Sequence, residues 1–153
     1  MVQSCVTQGV GQILDSMIGL TRLTPRQRVI VAGGDSMTLY LGLRQRGFIR
    51  TTTPALCRYR WTQHSVGFIA DEDAAQEAAE DAGAGIERYL EQISAFMAVN
   101  AELALRIGSG ASGRKIRAKL EKLGFRIEAG VRCSQGLVLS ALRHGYEQMA
   151  RAA

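Results

Sequence analysis

Long apolar runs are missing from this chain. None reaches the roughly 18 residues that a membrane-spanning helix needs, and Met1-Val2-Gln3-Ser4-Cys5 sets no basic region ahead of a continuous apolar segment. No membrane partner and no export signal are expected, so the expected compartment is the cytoplasm. Cysteine is scarce and scattered: Cys5, Cys57 and Cys133 are odd in number and form no C-x-x-C pair, which points to reduced thiols. Histidine is limited to His64 and His144, so a zinc site would need ligands gathered from afar, and no metal is expected. Neither histidine stands beside a nucleophile elbow, and Cys57 and Cys133 lie in apolar stretches, which leaves hydrolase chemistry without support. No low-complexity tract or linker divides the 153 residues, of which 46% are hydrophobic. That supports one sizeable core, so a single domain over 1–153 is expected.

Charge is present but segregated. Residues 1–62 sum to +6, residues 63–100 to −7 and residues 101–153 to +6, within a net +5. Such blocks either steer an anionic partner to one face or neutralise each other within the fold.

The hydrophobic pattern alternates between helical and extended periods. Val10, Leu14, Met17 and Ile18 place a leading helix over Val10–Leu23, stopped by Thr24-Pro25. Arg28–Gly34 is a β-branched run ending in two glycines, and Met37–Arg46 follows as a helix that Gly47-Phe48 terminates. Thr51–Tyr59 reads as a second strand, demoted toward an edge by Pro54. Ser65–Ala70 is a third strand, ending at Asp71, and the acidic Asp71–Asp81 reads as helical. Gly83 and Gly85 interrupt it before a helix over Ile86–Asn100 with Ile86, Leu90, Ile93 and Met97 on one stripe. Leu103–Ile107 is a fourth strand. Behind it come Gly108-Ser-Gly-Ala-Ser-Gly113 and a basic helix with Ile116, Leu120 and Leu123 inward. Arg126–Cys133 and Gly136–Leu142 read as a closing antiparallel hairpin around Ser134-Gln135. Strands alternating with helices imply an α/β fold: a three-layer, Rossmann-like, mostly parallel sheet with helices on both faces.

This order, with Val31-Ala32-Gly33-Gly34-Asp35-Ser36 after the first strand and Leu123-Gly124-Phe125-Arg126-Ile127 entering the hairpin, resembles the class I S-adenosylmethionine-dependent methyltransferases. The resemblance implies S-adenosylmethionine as cofactor, bound at Gly33, Gly34, Asp35, Ser36 and Asp71. The family favours an acid at the end of the second strand for the ribose hydroxyls, where this chain has Ala55-Leu56-Cys57-Arg58. Many amino-methylating members carry Asp/Asn-Pro-Pro-aromatic at the end of the next strand, where this chain has Phe68-Ile69-Ala70-Asp71. The short stretch between the second strand and Asp71 implies either a trimmed member of the family or a relative that has lost the chemistry.

The same residues admit other readings. Asp35 either caps the first crossover helix or meets a cationic ligand, and Asp71 either starts a helix or takes part in function. Gly108, Gly110 and Gly113 form a G-x-G-x-x-G between a strand and a helix, the pattern of a nucleotide-binding loop. Val131 and Arg132 occupy the place of its ribose-binding acid. With Ser109, Ser112, Arg114 and Lys115, the loop forms an anion-site candidate. The basic surfaces of residues 106–126 and 44–60 also fit a non-catalytic binding or assembly module for nucleic acid or a protein, and an exposed sheet edge makes a homodimer expected.

Overall fold

The computed structural model describes residues 2–57, 64–70, 82–107, 113–133 and 136–144. Ten elements follow one another: α1 (Val2–Thr21), β1 (Val29–Ala32), α2 (Ser36–Gln45), β2 (Thr51–Thr52), β3 (His64–Ile69), α3 (Ala82–Ser94), β4 (Met97–Ile107), α4 (Gly113–Lys122), β5 (Phe125–Cys133) and β6 (Gly136–Arg143). They build one six-stranded sheet in the order β2-β1-β3-β4-β6-β5. β2, β1, β3 and β4 run parallel, and β6 is antiparallel to both β4 and β5. The expected Rossmann-like α/β architecture is the one observed, closing hairpin included.

Two apolar cores fill the space on either side of the sheet. Ile13, Leu14 and Met17 of α1 and Leu39 and Leu43 of α2 pack with Val29, Val31 and Phe68 on one face. Ile86, Leu90 and Ile93 of α3 and Ile116 and Leu120 of α4 pack with Ile30, Ile69, Leu103 and Leu105 on the other. All four residues of β1 are buried, as strands covered on both faces require. Gly47 ends α2 as its sequence position implies. At φ +93° it lets its own amide reach the Arg44 carbonyl and the Phe48 amide reach the Leu43 carbonyl, which closes the last turn.

Several element boundaries differ from the sequence reading. α1 begins at Val2 rather than Val10 and ends at Thr21, where Arg22 takes φ +50° and the Leu23 amide returns to the Ile18 carbonyl. The second strand shrinks to Thr51–Thr52, because the chain turns at once: the amides of Leu56 and Cys57 both donate to the Thr53 carbonyl. Gly83 and Gly85 lie inside α3 rather than interrupting it. The helix expected to reach Asn100 stops at Ser94, and Met97 belongs to β4, paired with His64 of β3. Met97 stands four residues after Ile93 and is fully buried in the same core, so a helical stripe and a strand that returns beneath the helix look alike in sequence.

Both sheet edges carry features that discourage pairing with another chain. β2 is two residues long, while β5 has an irregularity between Ile127 and Ala129 and exposes Arg126, Glu128 and Arg132.

His64 fastens the amino-terminal end of β3 to the α3–β4 junction. Its Nδ1 donates to the Phe96 carbonyl at 3.0 Å and its ring meets the Phe96 ring edge-on. Burial holds the imidazole below its ordinary pKa of 6.5; the Phe96 carbonyl opposes the shift and the nearby Arg28 charge adds to it. The neutral form is the native one, so the unfolded chain binds the proton more readily. Stability is therefore expected to be full above pH 6.5 and to fall as pH drops toward the lower native value. Urea midpoints measured from pH 7.5 down to 5 check this, and His64→Gln is expected to remove that part of the slope.

Candidate functional site

In a doubly wound sheet, ligands bind beyond the carboxyl ends of the strands where the strand order reverses. Here β1 is followed by β2 on one side and then by β3 on the other, so the reversal lies between β1 and β3. Their register pairs Ala32 with Ile69, which brings Gly33 and Ala70 together at the rim.

The contact between them is close. Gly33 has φ +110°, and a Cβ built there would stand 2.1 Å from the Ala70 carbonyl oxygen. The Ala70 amide donates to the Ala32 carbonyl, the Asp35 amide to the Ala70 carbonyl and the Ser36 amide to the Gly33 carbonyl. The glycine turn is thus laced to the end of β3, and the amino end of α2 opens at the same rim. First-turn amides of a helix point out of that end and favour negative charge there. Asp35 is the N-cap residue of α2 but forms no side-chain cap hydrogen bond. The capping reading of Asp35 therefore lacks its defining contact. Gly34 is exposed at the tip of the turn.

Of the expected cofactor residues, Gly33, Gly34, Asp35 and Ser36 come together at this mouth; Asp71 lies outside the described residues. In the anion-site candidate, Gly113 starts α4 and Arg114 and Lys115 are exposed in its first turn. Gly108, Ser109, Gly110 and Ser112 lie outside the described residues.

One residue at the rim escaped the sequence reading. On β3 and β4, Ile69 pairs with Leu105, so one step further Ala70 and Arg106 stand side by side. Arg106 is 9% exposed and, two residues beyond Ala104, shares the α1/α2 face of the sheet. A lone charged residue in the apolar run Leu103-Ala104-Leu105-Arg106-Ile107 was the available signal.

Among the described residues, the groups with shifted titration sit at the other end of the sheet. His64 opens β3 and Arg143 closes the antiparallel β6; Glu102 pairs with Leu142, next to that end. Burial raises the Glu102 carboxyl pKa, opposed by Arg22 and reinforced by Glu128. Burial lowers that of Arg143, which clasps the Ser94 and Met97 carbonyls. His64 and Arg143 here hold strand ends together through backbone carbonyls, a structural source of shifted titration. On charge, the acidic and C-terminal basic blocks meet in the Glu91–Lys119 pair, whose ammonium also lowers the Glu91 pKa.

Sheet order, switch point and closing hairpin together define the class I S-adenosylmethionine-dependent methyltransferase-like fold. Solved structures carry the same assignment. The crystal structure of a SAM-dependent methyltransferase from Aquifex aeolicus superposes with a TM-score of 0.57 at 11% identity, over 84% of this chain and 88% of that one. The magnesium protoporphyrin IX methyltransferase of Synechocystis PCC 6803, solved with bound SAH, gives 0.57 at 16% identity, over 94% of this chain and 87% of its own. The precorrin-6y C5,15-methyltransferase of Geobacter metallireducens gives 0.55 at 10% identity, over 88% of each. At such identities the likeness is one of fold. No protein-family model matches the sequence, and no curated protein matches it. Among the described residues, no helix is long and apolar enough to cross a membrane.

Proposed function

We propose that the chain binds S-adenosylmethionine at the mouth between β1 and β3 and serves methyl transfer from it. The observation that carries this reading is the glycine turn at Gly33-Gly34, held at the switch point directly under the amino end of α2. The fold supports it, since a structural neighbour was solved with SAH bound.

The residues fit the methionine half of the cofactor better than the ribose half. At the turn, Gly34 offers backbone without a side chain, and the first-turn amides of α2, with the positive charge of buried Arg106 on the strand beside Ala70, have the sign that a carboxylate needs. Asp35, at the N-cap of α2, brings a negative charge to the same rim, the sign that the ammonium group needs; Ser36 and Asp71 complete the candidate set. At the end of β2 the chain presents Thr53-Pro54-Ala55-Leu56-Cys57, a segment without an acidic residue for the ribose, where the Thr53 hydroxyl accepts the Leu56 amide. Binding weaker than in members that have that acid is the consequence. When bound, the cofactor supplies an electrophilic methyl group on a sulfonium. The chain's own task is to orient it for in-line attack and keep water away, which needs no acid or base from the rim.

Calorimetric titration with S-adenosylmethionine and with its demethylated product tests the reading. Saturable heat is expected for both, and Gly34→Val is expected to weaken binding at least ~10-fold by placing a branched side chain where the backbone approaches the ligand. The melting temperature should stay near that of the parent chain, since Gly34 is exposed. No heat at millimolar ligand would overturn the proposal.

A further inference from the structure

α4 carries Arg114, Lys115, Arg117, Lys119 and Lys122 against Glu121 alone. Ile116 and Leu120 are fully buried, so Arg114, Lys115, Arg117 and Lys122 fall on the open side of the helix, where all four are exposed. Lys119 instead turns to α3 and pairs with Glu91. Among the described residues, no hydrogen bond or ion pair engages the other four. The helix starts at the carboxyl edge of the sheet because it follows β4, and β5 runs back to that edge, returning the exposed Arg132 there. The band of positive charge therefore begins at the edge that holds the mouth and runs down the flank.

We propose that this face binds the phosphate backbone of a single-stranded nucleic acid. The cations from Arg114 to Lys122 cover about 12 Å of helix axis, enough for several successive phosphates of one strand. Between its charges the open side of α4 presents only the small Ala118, so a protein partner would find almost no apolar surface to bury there. The helix lies flat against α3 and β5, which suits contact with a backbone rather than entry into a groove. Among the described residues no exposed aromatic ring lies beside it, Phe125 being buried, so the contact argued here is one of charge. A single strand is specified because a base stacked in a duplex cannot reach a cofactor at the rim without being flipped out. The choice of a single strand and its use as methyl acceptor rest on the reading above; the binding of phosphates to α4 does not.

Fluorescence anisotropy of the full chain with a labelled oligouridylate tests the proposal. With four phosphates neutralised, the log–log dependence on salt should have a slope of about −2.8, so that affinity falls roughly 50-fold between ~50 and ~200 mM salt. The fourfold variant Arg114→Gln/Lys115→Gln/Arg117→Gln/Lys122→Gln is expected to lose at least ~10-fold in affinity at low salt and most of that slope. Its melting temperature and its calorimetric response to S-adenosylmethionine should match those of the parent chain. The proposal is overturned by unchanged binding in the variant, by absence of binding at low salt, or by tighter binding to a duplex. Tighter binding to vesicles of equimolar phosphatidylserine and phosphatidylcholine would assign the face to a membrane surface and overturn it as well. Oligonucleotide binding without cofactor binding would defeat the methyl-donor reading alone, and the reverse would defeat only this one.

Discussion

Gly33→Ala is expected to cost about 3 kcal/mol or more of folding stability. Two penalties coincide there. The backbone at φ +110° lies where residues with a side chain are strained, and the new Cβ would have to occupy space 2.1 Å from the Ala70 carbonyl oxygen. That oxygen belongs to backbone, fixed through the Asp35 amide and the end of β3, so it cannot swing aside as a flexible side chain can. Gly47→Ala separates the two penalties. Gly47 has φ +93° but open space around its would-be Cβ, so it should show only the conformational part, about 1–2 kcal/mol. Urea denaturation of the two variants measures the difference. Equal losses would mean that the contact with Ala70 contributes nothing. For the site, the point is that Gly33 shapes the mouth, whereas Gly34 is the position at which a ligand contact can be changed without rebuilding it.

Arg143→Met is expected to cost about 2 kcal/mol, with Arg143→Lys recovering part of the loss. The guanidinium Nη1 donates to the Ser94 carbonyl at 2.7 Å and to the Met97 carbonyl at 2.9 Å, and the group lies over the Phe125 ring, 5.6 Å from its centroid. It thereby joins the end of α3, the start of β4 and the hairpin. Methionine retains much of the apolar stem but leaves two partly buried carbonyls without their charged donor. Lysine can restore a point charge, although not the planar fork. Chemical denaturation gives the ordering, and hydrogen exchange at the β4 amides locates the damage. If Arg143→Met were as stable as the parent chain, the clasp would be incidental to the fold.

Some of this molecule is legible in its residues alone. Val29-Ile30-Val31-Ala32 is β-branched and apolar, and no helix face explains four such residues in a row; the glycine pair behind it marks a turn, and Gly47-Phe48 marks the end of the next helix. Those are local facts, set by side-chain shape and backbone freedom within a few residues. The hairpin of Phe125–Cys133 and Gly136–Arg143 was legible for the same reason. Thr51–Tyr59 was read as too long a strand because nothing in its composition shows that the Thr53 carbonyl will collect two amides and turn the chain. Met97 was placed on a helix because a period of four fits both a helical stripe and a strand passing beneath it.

The class of fold, the glycine turn and the segregation of charge can be read from the residues alone, since each is written in neighbouring positions. That Gly33 is pressed against Ala70, that Arg106 lies buried beside the same rim, and that the cations of α4 begin at the edge holding the mouth emerge once the strands have paired. Those relations join residues tens of positions apart. They arise from the order in which strands pair, which is settled by the packing of the whole sheet and not by any local preference.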